Sequence, residues 1–336
     1  MKVAQLYTYP IKSLRPHALQ EAELTRHGFQ YDRRFMLLQA LRHDDGTVTY
    51  KNMHVSHYPQ MVLFHTELHT PSSSNARDGS ISVTYKPPNG ASACVVVPLE
   101  PDFQCLSPLE VEMHKSSTTA FDMGGTFNNW FSARFGFDVV LAYLGDQHRA
   151  VRMSTSPRMA STWLSYLSDA ATSLLHSRTE DNDEQITFAD CAPYLVVSER
   201  SMDDVHRRLP EGQSMDITKF RPNVIVSGAE QPWEEDFWGE ITVGQATKIE
   251  CVHNCVRCAS INIDFATGKP GVDETGKMLS KLQKDRRVDI GSKYSPVFGR
   301  YSFLHKSSVG DRIRIGDEVR VTKLNQERTV FDWEGL

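Results

Sequence analysis

Through its first hundred residues the chain alternates short apolar runs with polar turns. V-T-Y (48–50), M-V-L-F (61–64), I-S-V-T-Y (81–85) and C-V-V-V-P (94–98) are short runs of this kind separated by turn formers, a pattern that predicts an antiparallel sheet or barrel. The period then changes. After Gly124 and Gly125, Phe127, Trp130, Phe131 and Phe135 recur at helical spacing, which predicts a helix over 126–135 with its aromatic stripe in a core; residues 139–143 then read as a strand. Residues 70–80 have no period and several turn formers, the signature of a surface loop. Between 146 and 186, Leu164, Leu167, Ala171, Leu174 and Leu175 predict one amphipathic helix over 160–176, followed by an acidic run (179–184) that reads as a solvated loop. Beyond Phe188, strands are expected around 224–226, 241–243, 249–253 and 318–322, and Ser201 with Asp204 resembles a capping box opening a helix that ends near Leu209. The expected class is α+β, mainly antiparallel β, with domains over 1–145 and 188–336 and a variable segment over 146–187 between them.

Composition narrows the partners. The 336 residues are 40% hydrophobic and 24% charged, as in an ordinary globular protein. A net charge of −5 without any basic block argues against nucleic acid as the main partner. No apolar run approaches the ~18 residues of a membrane-spanning helix. The opening M-K-V-A-Q-L-Y-T-Y-P reads as a strand, not as a signal or transit peptide, so the cytosol is the expected compartment.

The densest chemistry lies at 251–258, C-V-H-N-C-V-R-C, which holds three of the six cysteines. Its spacing is that of the three-thiolate iron–sulfur site of radical S-adenosylmethionine enzymes, but those need most of a (β/α) barrel downstream, and 336 − 258 leaves 78 residues. A structural zinc site would need four ligands; no second C-x2-C exists, and His253 would point away from its neighbours on an extended strand. Buried reduced thiols suit Cys251 and Cys255. A further option is one cysteine supplying a single bond to a metal otherwise held by a cofactor.

The flanking residues bear on that option. K-F-R-P-N-V-I-V-S-G (219–228), then Cys258 with A-S-I-N-I-D-F-A-T-G (259–268), then S-P-V-F-G-R-Y (295–301) together resemble the MOSC domain, named for the C-terminal domain of molybdenum cofactor sulfurase. V-A-Q-L-Y-T-Y-P-I-K-S-L (3–14) and F-Q-Y-D-R-R-F-M-L (29–37) are similar to the N-terminal β-barrel domain that precedes it in the amidoxime-reducing molybdenum proteins. The resemblance implies two β-barrel-like domains and a molybdenum cofactor (molybdopterin) bound between them. It implies Cys258 as the metal's one protein thiolate, a soft ligand for a metal already bound by dithiolene sulfurs. Lys12, Ser13, Arg34, Arg221, Asn223 and Arg257 would hold the cofactor's phosphate, and Asp190 would accept from pterin N–H groups. Adjacent strand residues face opposite ways, so only one of Arg33 and Arg34 should reach the site. Two departures stand out: Cys191-Ala192 replaces a Thr-Ser of some relatives, and I-N-I-D (261–264) replaces their T-T-V-D, which would put Asn262 near the metal in place of a hydroxyl.

The activity so implied is reduction of N-hydroxylated compounds, such as amidoximes and hydroxylamines, with release of water. The chain has no haem motif, Rossmann glycine fingerprint or ferredoxin-like cysteine set, so electrons must arrive from outside. In relatives they come from NADH through a flavin reductase and a small b-type cytochrome, and animal relatives are anchored on mitochondria. The competing reading is a cofactor carrier or sulfur-handling module, favoured by the missing T-T and opposed by the lack of any cysteine desulfurase region.

Overall fold

The computed structural model describes residues 1–71, 78–155 and 184–333. The expected 160–176 helix, nearly all of the acidic run and most of the 70–80 loop lie outside the described residues. The rest is mainly antiparallel β. Eight strands form the largest sheet, in the spatial order His17–Leu19, Lys2–Thr8, Val224–Ser227, Tyr194–Ser198, Val297–Leu304, Thr247–Val256, Trp238–Val243 and Val319–Leu324. Only Tyr194–Ser198 and Val224–Ser227 run parallel, and the helix Glu199–Arg207 lies in the crossover such a pair needs. The sheet nearly closes on itself: Lys2 bridges Glu318, and Val3 exchanges backbone hydrogen bonds with Asp317 and Gly316. A barrel without free edges leaves no row of unpaired N–H and C=O groups.

Five strands, Ser107–Met113, Ser116–Asp122, Val139–Tyr143, Phe35–Arg42 and Val48–Asn52, form a second sheet, and Phe64–His69, Ser80–Tyr85 and Ala93–Pro98 a third. Their shared core contains Phe64, Ile81, Val97, Phe131 and Leu141. The aromatic stripe of the helix Gly125–Phe135 is seated in it, with Phe64 and Phe135 stacked at 5.0 Å. The strand expectations need one correction here: residues 61–63 belong to the 3₁₀ turn Pro59–Leu63, because Pro59 lacks the N–H a ladder needs and suits a first helical turn, so the strand begins at Phe64.

The helix after Tyr194–Ser198 also starts a turn earlier than its sequence pattern suggests. Ser198 is the cap, accepting from Arg200 N, while Ser201 is buried and donates to Glu235 Oε2 at 2.6 Å. Glu235 and Asp236 are both fully buried. Asp236 receives Arg286 at 2.8 Å and Arg328 at 2.8 Å, whereas the second carboxyl oxygen of Glu235 has no partner. Burial, with Asp236 beside it, pushes the Glu235 carboxyl up to about 7. A carboxyl whose folded value lies above its unfolded one binds more protons when folded, so it costs stability as pH rises from its ordinary 4.5 towards 7. Glu235→Gln should therefore leave the thermal midpoint near wild type at pH 5 and raise stability by about 1–3 kcal/mol at pH 8. Melting curves at the two pH values check this; an equal change at both would assign the effect to packing.

Candidate functional site

The three thiols of 251–258 part company. The register of Thr247–Val256 against Val297–Leu304 shifts between Cys251 and His253 and again between Asn254 and Val256, and each shift turns the following side chains to the other face. Cys251 is buried with Val3, Tyr194 and Trp238, and Cys255 on the opposite side with Phe298 and Tyr301. Burial raises both thiols. Cys258 lies past the strand end, exposed, its Sγ 3.2 Å from Ser260 Oγ. His253 is buried with Nε2 2.8 Å from Ser154 O. Among the described residues no three His, Cys, Asp or Glu side chains gather as metal ligands, so neither the zinc nor the iron–sulfur alternative has a ligand set.

Cys258 stands in a cleft that encloses about 580 Å³ including its open mouth. Arg33, Lys219, Arg221 and Arg257 line it against one carboxylate, Asp190. Two of these cations, Arg221 and Arg257, are anchored by carbonyls, which leaves their charge unneutralised. Arg257 donates to Phe220 O at 2.6 Å and twice to Phe298 O. Arg221 follows the 3₁₀ turn Ile217–Phe220 in a left-handed conformation (φ 56°) and donates to Leu14 O at 3.1 Å. Its buried Nη2 has no partner, and burial lowers the group to about 10, still a cation at neutral pH. Lys219 rests over the Phe265 ring at 5.3 Å, with no carboxylate within ion-pair distance among the described residues.

Arg33, not Arg34, enters the cleft. It is paired with the buried Asp32, donates to Asn223 Oδ1 at 3.2 Å and lies over the Tyr9 ring at 4.7 Å, with Arg221 over the same ring at 4.4 Å. Only one of the pair enters, as expected from the D-R-R-F motif, but it is the other one and strand alternation is not the cause: Arg33 sits in a turn at φ 51° ahead of the strand Phe35–Arg42, and Arg34 points the other way, donates to Gly145 O and lines a separate cleft with Tyr31, Phe103 and Tyr143. Asn223 lines the cleft, yet its amide is committed to the protein. Nδ2 donates to Tyr7 O and Asp32 Oδ1, and Oδ1 accepts from Arg33 and from Leu195 N. It is a brace, not a free donor. Asn262 is turned away altogether: its Oδ1 accepts from Leu279 N at 2.9 Å, fixing the short helix Met278–Leu282. The hydroxyl beside the thiol is that of Ser260, two residues from Cys258 and overlooked in the sequence.

Lys12 and Asp190 meet at the far side. Lys12 Nζ donates to Phe188 O at 3.0 Å and to Asp190 Oδ1. Burial lowers the lysine and Asp190 opposes that, whereas Asp190, with half of its side chain (54%) exposed, is held well below the usual carboxylate range by Lys12 and His114. Ser13, with φ 69°, lines a narrow recess that shares Lys219, Arg221 and Ser260 with the cleft's lining. Tyr301 forms part of the floor, its hydroxyl against the buried thiols of Cys191 and Cys255. Lys219 and Tyr301 both lie inside the motifs quoted above; nothing in their spacing distinguished them from core or surface residues.

Residues 183–320 match the model of the MOSC domain, and residues 1–138 that of the MOSC N-terminal beta barrel domain. The chain is 27% identical over 325 residues to "Mitochondrial amidoxime-reducing component 1" of Mus musculus, covering 94% of this chain and 81% of that protein. It is 26% identical over 334 residues to "Mitochondrial amidoxime reducing component 2" of Macaca fascicularis, covering 94% and 82%. Over a shorter stretch of 140 residues, 40% of this chain and 39% of the relative, identity to component 1 of Homo sapiens reaches 32%. No helix among the described residues is long and apolar enough to cross a membrane.

The two neighbouring arginines test the geometry directly. Arg33→Ala strips a fully buried carboxylate of its cation and should destabilise the fold by about 3–5 kcal/mol. Arg34→Ala removes a partly exposed side chain and should cost about 1 kcal/mol or less. Urea midpoints of the two variants give the comparison; the reverse order would mean that Arg34 is the inward residue.

Proposed function

Because the chain belongs to the MOSC-domain proteins, with an N-terminal MOSC β-barrel domain ahead of the MOSC domain, we propose that it is a molybdenum-cofactor-dependent reductase of N-hydroxylated compounds, amidoximes and hydroxylamines among them. The observation that carries this reading is a strongly cationic cleft with one exposed thiol and a buried, unpartnered guanidinium nitrogen on Arg221. Such a nitrogen is costly to bury unless a ligand accepts from it. An anionic, phosphate-bearing pterin fits this donor set, and the thiol fits a soft metal.

In this reading Cys258 gives the metal its one protein bond. Arg221, Lys219, Arg33 and the Ser13 hydroxyl are the phosphate donors, Lys12 and Arg257 add charge, and Asp190 turns a half-exposed carboxylate towards pterin N–H groups. The cradle draws on both sides of the boundaries proposed at 145 and 188. Asn223 acts behind it, fixing Arg33. Ser260 holds a proton-bearing hydroxyl beside the thiol. When bound, the cofactor supplies a two-electron centre able to take the oxygen of an N–O bond; the protein orients it and limits access by water. Electrons are assigned to an external chain, a small b-type cytochrome fed by an NADH-dependent flavin reductase, as the family resemblance of the sequence motifs suggests. All six cysteines are unpaired, which suits a reducing, cytosol-facing location.

Molybdenum and pterin analysis of the purified protein, combined with reduction of N-hydroxybenzamidine through a reconstituted electron chain, tests this. Wild type should contain both and turn over. Cys258→Ala should keep its fold and lose activity, whereas Cys251→Ala should stay active at a stability cost of about 1–3 kcal/mol. Pterin bound without any reduction in wild type would favour a cofactor carrier.

A further inference from the structure

The reduction proposed above consumes two protons for each N–O bond cleaved, and the side chains lining the cleft are poor proton donors near neutral pH. Arginine and lysine hold their protons, burial pushes the Tyr301 hydroxyl further up, and Asp190 is kept as an anion by Lys12 and His114. Imidazole is the side chain that exchanges a proton in this range. One stands against the cleft's carboxylate: His114 Nε2 lies 3.5 Å from Asp190 Oδ1, with a third of its side chain (34%) exposed.

That placement is built rather than incidental. His114 and Lys115 form the tip of the hairpin joining Ser107–Met113 to Ser116–Asp122, both at positive φ (52° and 61°), a conformation that non-glycine residues enter at a cost. Trp333 Nε1 donates to His114 O at 3.0 Å. The fully buried Arg149 donates to Met113 O at 3.0 Å, to Thr187 O at 3.2 Å and to Ala189 O. One guanidinium therefore holds the residue before His114 and the residue before Asp190 in a single frame. On the solvent side, His54 is within electrostatic reach of Lys12, Asp190 and His114, and the exposed His57 has its Nδ1 2.5 Å from His54 Nε2.

We propose that His114 passes protons from solvent into the cleft, with Asp190 as its positioning residue. This rests on the reductase reading. Two electrons come from the external one-electron carrier; the N–O bond breaks, one proton goes to nitrogen, and the other joins the departing oxygen, with its own hydrogen, as water. The test uses the loaded protein with His114→Asn, chosen because asparagine tolerates the left-handed turn.

The turnover number for N-hydroxybenzamidine should fall about 100-fold, with KM, molybdenum content and thermal midpoint near wild type. Added imidazole should restore much of the lost rate in the variant and none in wild type. Proton uptake from weakly buffered solution, followed with an indicator dye in a single turnover, should slow in parallel. An unchanged rate, or a loss that tracks molybdenum content and resists imidazole, overturns the proposal and leaves His114 a structural tip. If the variant does not fold, Trp333→Phe, which frees the tip but keeps the imidazole, should lower the turnover number without imidazole rescue; full activity there also overturns it. A wild-type protein that reduces no N-hydroxylated compound removes the reductase reading, and this inference with it.

Discussion

Everything around the cleft depends on one buried carboxylate. Asp32 is almost fully enclosed and accepts from Tyr9 N at 2.8 Å, Thr8 Oγ1 at 3.2 Å, Asn223 Nδ2 at 3.3 Å and the Arg33 guanidinium. A carboxylate in such a place costs several kcal/mol unless it is paired and hydrogen-bonded, so the donors cannot be separated without large loss. They come from opposite parts of the chain. The first strand, the D-R-R-F turn and the F-R-P-N segment are thereby locked into one arrangement, which sets Arg33 inward, Arg34 outward and Arg221 over the same tyrosine ring.

That lock also explains what could and could not be read in the sequence. The short apolar runs, 61–63 excepted, and the aromatic stripe at 127–135 announced their elements, because their cores are local and the pattern is all that matters. The R-P-N and Cys258 motifs brought Arg221 and the thiol to the cleft as expected. Which of two adjacent arginines faces inward was not legible: they lie in a turn rather than a strand, Arg33 at φ 51°, and the direction comes from Asp32 meeting residues near 223. The same holds for 251–258, where the register shift between Cys251 and His253 sends Cys251 and Cys255 to different cores, and for Asn262, whose partner on Met278–Leu282 lies 17 residues away. Pairings between distant strands, such as Lys2 with Ser227, leave no short-range trace.

The arginines share a further trait. Arg149, Arg257 and Arg221 are held mainly by backbone carbonyls rather than by carboxylates, and Arg300 by carbonyls and the side chains of Asn254 and Thr329. Carbonyl dipoles orient a guanidinium and satisfy its N–H groups without cancelling its charge. The cleft thus keeps a net positive field inside a protein whose overall charge is −5. Away from the cleft, Asp236 instead pairs directly with two arginines, Arg286 and Arg328.

The near-closure of the large sheet through its first strand bears on how the protein is made. Lys2 and Ser227 are 225 residues apart, and the bridge from Lys2 to Glu318 is longer still. Contacts of that separation pay loop entropy before they return any stabilisation, so they form late. During synthesis the Lys2–Thr8 strand emerges with its short partner His17–Leu19 but long before Val224–Ser227, and must wait with that second edge unpaired. Its most vulnerable period is on the ribosome, when association with another nascent chain competes with closure, and a holdase that covers this strand would raise yield without altering the finished protein.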